Sequence, residues 1–453
     1  MRYSESRRSF IKNTTAAVAL STIAPFSYGA NNLQEPLKVG LIGSGWYGKS
    51  DLFRLIQVAP VEVLGICDVD QRMLKEAGEL ISQRQQSGKI PRLYGDYRQM
   101  LDKHNFDIVL VGSPDHWHAL HAIEAIRSGA HVYVQKPISV DVVEGEAMLK
   151  AARKYNRVVQ VGTQRRSTPH LMEAKEKIVD TGLLGDIGHV EICCYTGKSR
   201  QGQPEVVPFP DFFDYDFWTG PAPMLPFTGL PHRRWRAYME YGNGMIGDMG
   251  IHMLDAARWM LGVGWPKKVT SVGGTYVNEE AVGNRPDTQH AFFEFDEMNF
   301  VWQHRMWGQP DDPDYWWSFK IYGDKGTLKG SVRKAEFIPL DGDPIQFDVV
   351  YEKEEYPEDL TEEGMELFAA PATRRHMQDF LQAIENNTKP VADIEQGHIS
   401  SACCILANIS AELEGRPLSY DPEKKIITGD AEATRLLARK YRAPWVHPTP
   451  NDV

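Results

Sequence analysis

From Leu37 to about Val161 the chain alternates short, β-branched apolar runs with longer segments of helical periodicity. The runs at 37–42, 61–67, 107–112, 131–134 and 158–161 have the length of strands, and the segments 46–57, 70–86, 116–129 and 140–156 have the length of helices. Strands joined through helices run parallel, because each crossover returns the chain to the same end of the sheet. The pattern predicts a doubly wound parallel sheet with helices on both faces.

Beyond residue 164 the rhythm changes. A helix is predicted near 169–181 and a strand over 187–196, whereas the Pro- and Phe-rich stretch 203–231 keeps neither period and reads as an irregular insertion. Met245, Met249, Leu254, Ala257 and Leu261 keep roughly helical spacing and predict a helix over 246–262. Strands at 267–278, 289–296, 299–306 and 316–323 are separated by turns such as Gly323-Asp324-Lys325-Gly326, which implies antiparallel pairing. Helices over 372–386 and 393–414 complete the pattern. The predicted fold class is α/β: an N-terminal parallel sheet plus a C-terminal α/β domain with an open, mainly antiparallel sheet. A length of 453 residues fits two domains better than one core.

Composition refines this only slightly. A hydrophobic content of 42% and a charged content of 25% are those of a soluble globular protein. The formal charge of −11 argues against nucleic acid as a partner, since backbone phosphates need a basic footprint. Cys67, Cys193, Cys194, Cys403 and Cys404 stand in apolar runs without disulfide or zinc spacing, so inert thiols and no metal site are expected. The N-terminus adds more. Ser6-Arg7-Arg8-Ser9-Phe10-Ile11-Lys12 and the apolar run Ala16-Ala17-Val18-Ala19-Leu20 read as a twin-arginine export signal over residues 1–30. Such a signal is an address read by a receptor. The run is broken by Asn13, Thr14, Thr15 and Pro25, well short of the ~20 residues of a membrane span, so no anchor is expected and the location is periplasmic or secreted.

The strand over 37–42 runs into Gly43-Ser44-Gly45-Trp46-Tyr47-Gly48, the spacing of a dinucleotide fingerprint. The first glycine allows the tight turn, the second admits a pyrophosphate close to the backbone, and the third packs helix on strand. Amides at the start of the next helix, at Trp46 and Tyr47, then face the phosphates. The second strand ends at Asp68, placed to accept ribose hydroxyls and repel a 2′-phosphate, which predicts a Rossmann domain that takes NAD in preference to NADP. The strand 107–112 ends in Ser113-Pro114-Asp115-His116-Trp117-His118, at the carboxyl edge where such sheets bind ligands; His118 either touches the cofactor or caps the next helix. The following strand ends in Val134-Gln135-Lys136-Pro137, positioned to aim an ammonium at a nicotinamide pocket.

Taken in this order, these motifs resemble the Gfo/Idh/MocA oxidoreductase family, which includes glucose–fructose oxidoreductases and inositol dehydrogenases. Gly247-Asp248-Met249-Gly250-Ile251-His252 resembles that family's Asp-x-x-x-His motif, and the resemblance runs from about residue 37 to the C-terminus. Gln135 departs from it, since many members carry Glu before Lys-Pro. The resemblance implies a nucleotide-binding domain over 37–163 and a substrate-binding and oligomerisation domain over 164–445. It also implies that Lys136, Asp248 and His252 converge beside the nicotinamide. His252 would accept a hydroxyl proton as hydride passes from a carbinol carbon to NAD. Lys136 would stabilise the developing alkoxide, and Asp248 would hold a neighbouring sugar hydroxyl while compensating Lys136. Gly43, Gly45, Trp46, Tyr47, Gly48, Asp68, Ser113, Pro114, His118, Gln135, Lys136 and Gln164 are expected to hold the cofactor, and Arg165, Arg166, His232, Trp235 and Asp248 the substrate.

The expected function is an exported NAD-dependent oxidoreductase, a homo-oligomer acting on a ring hydroxyl of a sugar or glycoside, C3 being one candidate position. No dependable NAD pool exists outside the cytoplasm, so the cofactor is expected to be held tightly and regenerated in place. The alternative is an NAD-dependent glycosidase. There, oxidation at C3 acidifies the C2 proton, elimination expels the leaving group, water adds and the hydride returns. Lys136-Pro137 follows the dehydrogenase-like members and ranks that alternative second. A catalytically idle sugar-binding protein ranks last, because Lys136, Asp248 and His252 are all retained.

Overall fold

The structure, a computed structural model, describes residues 35–197, 201–202 and 204–453, apart from the Arg233 side chain. The twin arginines lie outside the described residues.

Six parallel strands form the first sheet: β1 (Leu37–Ile42), β2 (Val61–Cys67), β3 (Arg92–Tyr94), β4 (Ile108–Val111), β5 (His131–Val134) and β6 (Val159–Val161), in the order β3-β2-β1-β4-β5-β6. This is the doubly wound Rossmann order, with its switch point between β1 and β4. Val39, Leu41, Val109, Val132 and Val159 are fully buried, as parallel strands covered on both faces require. The sequence pattern does not reveal β3 or the helix Tyr97–Lys103 after it. Only Tyr94 of β3 is buried, so that strand carries no apolar run.

The second sheet has eight strands: β7 (Ile187–Tyr195), β8 (Lys268–Gly274), β9 (Thr288–Glu294), β10 (Asn299–Arg305), β11 (Trp317–Gly323), β12 (Gly326–Ser331), β13 (Lys334–Pro339) and β14 (Ile345–Asp348). Their order is β14-β13-β12-β11-β7-β10-β9-β8. Pairing is antiparallel except between β7 and β10, which run parallel. The long connection after β7 lets it re-enter the sheet between β11 and β10, which hairpin logic cannot foresee. Strands β12 to β14 are short and interrupted by Gly326, Lys329, Gly330, Lys334 and Glu336, and also escape the apolar pattern.

The helix Ile394–Glu412 is apolar nearly all round and packs on both the helix Val142–Lys154 of the first sheet and β8 of the second. It carries Cys403 and Cys404; all five cysteines are buried and free, and burial raises their thiol pKa values. Both predicted helices around 169–181 and 246–262 contain a wider turn. Lys175–Val179 and Ile246–Gly250 are π-helical, the latter leading into the α-helix Ile251–Leu261.

The insertion forms an aromatic cap. Phe213, Tyr215, Trp218, Phe227, Trp235 and Tyr241 cluster around the short helix Tyr215–Thr219, which Asp214 caps by accepting from the Phe217 amide. The Gln71 amide donates to the Phe212 carbonyl (3.0 Å) and the Asp214 amide to the Val69 carbonyl (3.2 Å), which lays the cap over the end of β2. A C-terminal strap holds it there. Arg442 donates to the Gly220 carbonyl (3.0 Å) and to Asp216 (2.7 Å), and Arg439 to the carbonyls of Met239 (2.8 Å) and Gly242 (3.0 Å). Trp445 packs edge-on against Trp117, and His447 Nε2 lies 2.7 Å from the Asp141 carboxylate at the start of the helix Val142–Lys154. Among the described residues no helix is long and apolar enough to cross a membrane.

Candidate active site

The fingerprint turn is shaped by contact. Gly43 has φ +89°, and a Cβ there would sit 2.5 Å from the Ser113 amide. A Cβ on Gly48 would sit 2.0 Å from the Gly43 carbonyl oxygen, so the helix Trp46–Val58 can start against β1 only as glycine. Gly45 is different: the nearest atom to its Cβ would be Met73 Cε at 3.8 Å, so nothing inside the protein demands glycine there. That open side faces a cavity of about 1030 Å³, counted with its mouth to solvent. Gly43, Gly45, Trp46, Tyr47, Asp68, Asp70, Ser113 and Pro114 line it from the first sheet, and Phe213, Phe217, Trp218, His232, Trp235 and Arg236 line it from the cap.

Asp68 Oδ2 accepts from the Ser44 amide (2.8 Å) and hydroxyl (3.0 Å), and its Oδ1 from the Asp70 amide (3.0 Å). Burial raises its pKa against those hydrogen bonds. A carboxylate fixed at the end of β2 beside a glycine cradle fits a dinucleotide's ribose and pyrophosphate. Asp70 caps the helix Gln71–Ser82 and stands 3.6 Å from His232 Nε2. His232, expected at the substrate, thus lies with the acids at the ribose end of the cavity.

The second centre is built where β5 meets the π turn. Lys136 Nζ donates to the Asp248 carbonyl (2.7 Å) and to its carboxylate (3.0 Å). Arg236 Nε lies 3.4 Å from the same carboxylate. Burial pushes the Asp248 pKa up, but Lys136 and Arg236 outweigh it and hold the group at about 2. A π turn widens the helix and is often found at functional sites. Here it leaves the Asp248 carbonyl oxygen and the carboxylate Oδ1 turned to one ammonium. His252, in the next turn, packs edge-on against Trp317 at 5.5 Å, and its Nδ1 has no hydrogen-bond partner among the described residues. Burial, then Lys136 and Arg165, depress its pKa well below the usual imidazole value, so the ring is neutral. Sequence reasoning did not single out Asp115, whose pKa burial lifts to about 8 against Lys136 and Arg236. Arg236, which the sequence places among the polar residues around the site without a role, lines the cavity and reaches Asp248.

Three expected positions, Arg166, Gln135 and His118, need correction. Arg166 is not at the substrate: its guanidinium forms a buried two-point ion pair with Asp255 (2.7 and 2.8 Å), joining the loop after β6 to the helix Ile251–Leu261. Gln135 turns from the cavity and donates to buried Asp51 (2.6 Å). The Glu that many resembling sequences carry would there put two carboxylates in contact, and the amide removes that repulsion. His118 has its two ring nitrogens 2.7 Å from the Ser113 and Pro137 carbonyls, so it bolts the two site loops together and does not reach the cavity. Gln164 bonds through Nε2 to the Tyr47 hydroxyl (2.7 Å), holding the cavity wall from behind. Arg165 is buried between the Trp317 and Phe368 rings, near His252. Trp235 stands in the cap beside Arg236, whose guanidinium lies 4.3 Å over its ring.

Comparison with known proteins agrees with this geometry. Residues 37–163 match the profile of an oxidoreductase family with an NAD-binding Rossmann fold, and residues 177–418 match the C-terminal α/β domain of the same family. The chain is 26% identical over 234 residues to a levoglucosan dehydrogenase of Pseudarthrobacter phenanthrenivorans, covering 50% of this chain and 52% of that protein. It is 29% identical over 177 residues to an α-N-acetylgalactosaminidase of Shewanella oneidensis, covering 38% of each. The chain thus spans about half the length, or less, of these curated relatives. A solved levoglucosan dehydrogenase in complex with NADH and levoglucosan superposes with a TM-score of 0.63 at 20% identity, covering 85% of this chain and 99% of the other, a likeness of fold.

Proposed function

The chain belongs to the Gfo/Idh/MocA oxidoreductase family, and on that premise we propose that it is an exported dehydrogenase that oxidises a ring hydroxyl of a sugar or glycoside with a tightly held NAD. The observation that carries this is Lys136 bonded to the carbonyl oxygen and to Oδ1 of Asp248, one helical turn from a neutral His252 whose Nδ1 has no partner among the described residues, with Arg236 reaching from Asp248 to the cavity that the glycine cradle and Asp68 line. NAD, when bound, supplies the hydride acceptor. His252 takes the hydroxyl proton, since its depressed pKa keeps the ring unprotonated at neutral pH. Lys136 lowers the cost of the alkoxide by placing its charge at the oxygen. Asp248 holds Lys136 in position and offers its carboxylate to an adjacent hydroxyl.

Asp68 favours NAD, because its part-buried carboxylate repels a 2′-phosphate. Tight retention is supported by the cap, whose Phe213, Phe217 and Trp218 close the cavity that the fingerprint opens. Retention suits the export implied by Arg7-Arg8, since a cofactor loaded before export has no outside source of replacement. Exposed Val272 and Phe292 on β8 and β9 support association of copies through the open sheet.

A second reading is kept for one reason: an α-N-acetylgalactosaminidase is about as similar to this chain as a dehydrogenase is. The test is product analysis with purified, NAD-loaded protein on a panel of glycosides, with and without a second sugar as acceptor. A keto-sugar supports the dehydrogenase; a free aglycone with no net change in NAD supports the glycosidase. Neither product, from protein that retains NAD, refutes both.

A further inference from the structure

The strap that fastens the cap is itself held on a small group of titratable side chains. Asp141 and Glu144, at the start of the helix Val142–Lys154, are both buried, and His447 reaches them from the strap; one polar atom of each lies within 4.8 Å of the others. Asp141 Oδ2 accepts from the Arg439 amide (2.8 Å) and lies 2.7 Å from His447 Nε2, and Oδ1 accepts from the Glu144 amide (2.8 Å). Glu144 Oε1 accepts from the Tyr441 hydroxyl and Oε2 from the Val140 amide (2.9 Å). The strap thus holds on through Arg439, Tyr441 and His447. Between the last two, Trp445 packs edge-on against Trp117 and Phe217, which line the cofactor cavity. Trp117 also donates through Nε1 to the Trp218 carbonyl of the cap (2.8 Å), so lifting the strap takes the backing from the rings that close the cavity.

Two buried carboxylates this close resist carrying two charges. Among the described residues His447 alone forms an ion pair with either of them. The Arg439 guanidinium turns instead to the carbonyls of Met239 and Gly242 in the cap, although its charge is felt by both acids. Tyr441 stays neutral, because burial and Glu144 push its hydroxyl pKa up. Burial and Asp141 likewise push Glu144 up, and for His447 burial works downward but Asp141 outweighs it and raises the imidazole. Asp141 then carries the negative charge, His447 a proton that balances it, and Glu144 a second proton. Both shifts act with one sign. With the strap lifted, each group returns to its ordinary, lower pKa, so opening releases protons; closure is strongest in acid and weakens as pH rises toward the raised values. We propose that the strap is a pH-sensitive latch: Asp141, Glu144 and His447 keep it shut while they hold two protons among them, and it opens on the alkaline side and lets the cofactor go. The release of cofactor rests on the reading that NAD lies beneath the cap; the latch itself does not.

The test uses full-length protein with its bound NAD. Release of NAD after dilution is followed by absorbance of the filtrate. The strap is followed by trypsin cleavage at Lys440 and Arg442, corrected at each pH by cleavage of a free peptide of residues 436–453. Between about pH 6 and about pH 9 both rates should rise together by roughly tenfold or more, since each proton released on opening contributes up to about tenfold per pH unit. Glu144→Gln imitates the protonated carboxyl, and His447→Gln keeps a donor for Asp141, but neither amide titrates. Each variant should flatten the rise several-fold, and the double variant should be level to within about twofold. Each pH dependence is taken within one variant, so a uniform loss of stability does not mimic it. Denaturation midpoints over the same range separate the latch from the fold and should not follow the two rates. Rates that stay level with pH overturn the proposal, as does a rise that persists in the double variant, a rise matched by the midpoints, or strap cleavage that rises while NAD release does not. Strap cleavage that rises with pH and flattens in the variants, from protein that holds no NAD at any pH, would instead refute the NAD reading and leave the latch standing.

Discussion

Gly48→Ala would place a methyl carbon 2.0 Å from the Gly43 carbonyl oxygen, and Gly45→Ala would place one 3.8 Å from the tip of Met73. The first overlap exceeds 1 Å against an ordinary contact of about 3.2 Å, and both offending atoms are backbone, so neither can rotate away. The helix Trp46–Val58 must then lift from β1, where Gly112 also packs against Gly48: a Cβ on Gly112 would meet Gly48 Cα at 2.7 Å. Overpacking of this kind costs about 1–3 kcal/mol. Gly45 has φ −65° and ψ −176°, which alanine adopts freely, so Gly45→Ala should alter stability by less than about 0.5 kcal/mol. Its methyl group points into the cavity instead. The two variants should therefore separate folding from binding. Gly48→Ala lowers the denaturation midpoint and loses NAD, whereas Gly45→Ala keeps the midpoint and loses NAD alone. Denaturant titration gives the first quantity, and absorbance of NAD released from dialysed protein gives the second. An unchanged midpoint in Gly48→Ala, or full NAD retention in Gly45→Ala, would refute the assignment of the cradle.

Three further outcomes follow from named groups. His252→Asn should lower turnover by about 10²–10⁴-fold while leaving bound NAD unchanged, measured as keto-sugar formed per NAD-loaded site; turnover within threefold, roughly, of the parent would remove His252 as the proton acceptor. The pH profile should share this origin. Burial, Lys136 and Arg165 depress the imidazole's pKa, so the base form persists below the ordinary value of 6.5 and kcat/KM should stay level as pH falls through it. An acid limb at or above that value contradicts the assignment. Arg166→Ala should destabilise the fold by about 3–5 kcal/mol, because it strands buried Asp255, and its denaturation midpoint shows this directly. A loss below about 1 kcal/mol would mean that Arg166 is free to serve the substrate after all.

What the chain's pattern reveals, and what it hides, divides by distance along the sequence. Gly43, Asp68 and Lys136 were legible because each sits just beyond the end of a strand, and Gly48 because it opens the helix after the first of them, where local geometry dictates the residue. The pairing of Lys136 with Asp248 joins positions 112 residues apart and was accessible only through family resemblance. Arg166 misled for the same reason: its partner, Asp255, lies 89 residues on, and an arginine next to a ligand loop looks the same whether it is spent internally or not. Gln135 was noticed as a departure, yet its cause is Asp51, on the helix Trp46–Val58 and 84 residues earlier. In the second domain, long alternating strands were visible, whereas β12 to β14 were not. The aromatic cap had no period to read. Its shape comes from ring packing and from hydrogen bonds donated by Arg439 and Arg442, about 200 residues downstream.

Those two arginines set an order of events. The parallel sheet is complete in sequence by β6, and the cap by Tyr241, yet the strap that fastens the cap is translated after both. A growing chain therefore presents an open fingerprint until Arg439 and Arg442 have been made. On the proposed reading, loading with NAD is a step of maturation that precedes latching. The nucleotide composition of the compartment where synthesis finishes, not that of the compartment where the protein works, would then decide which cofactor each molecule carries for its lifetime.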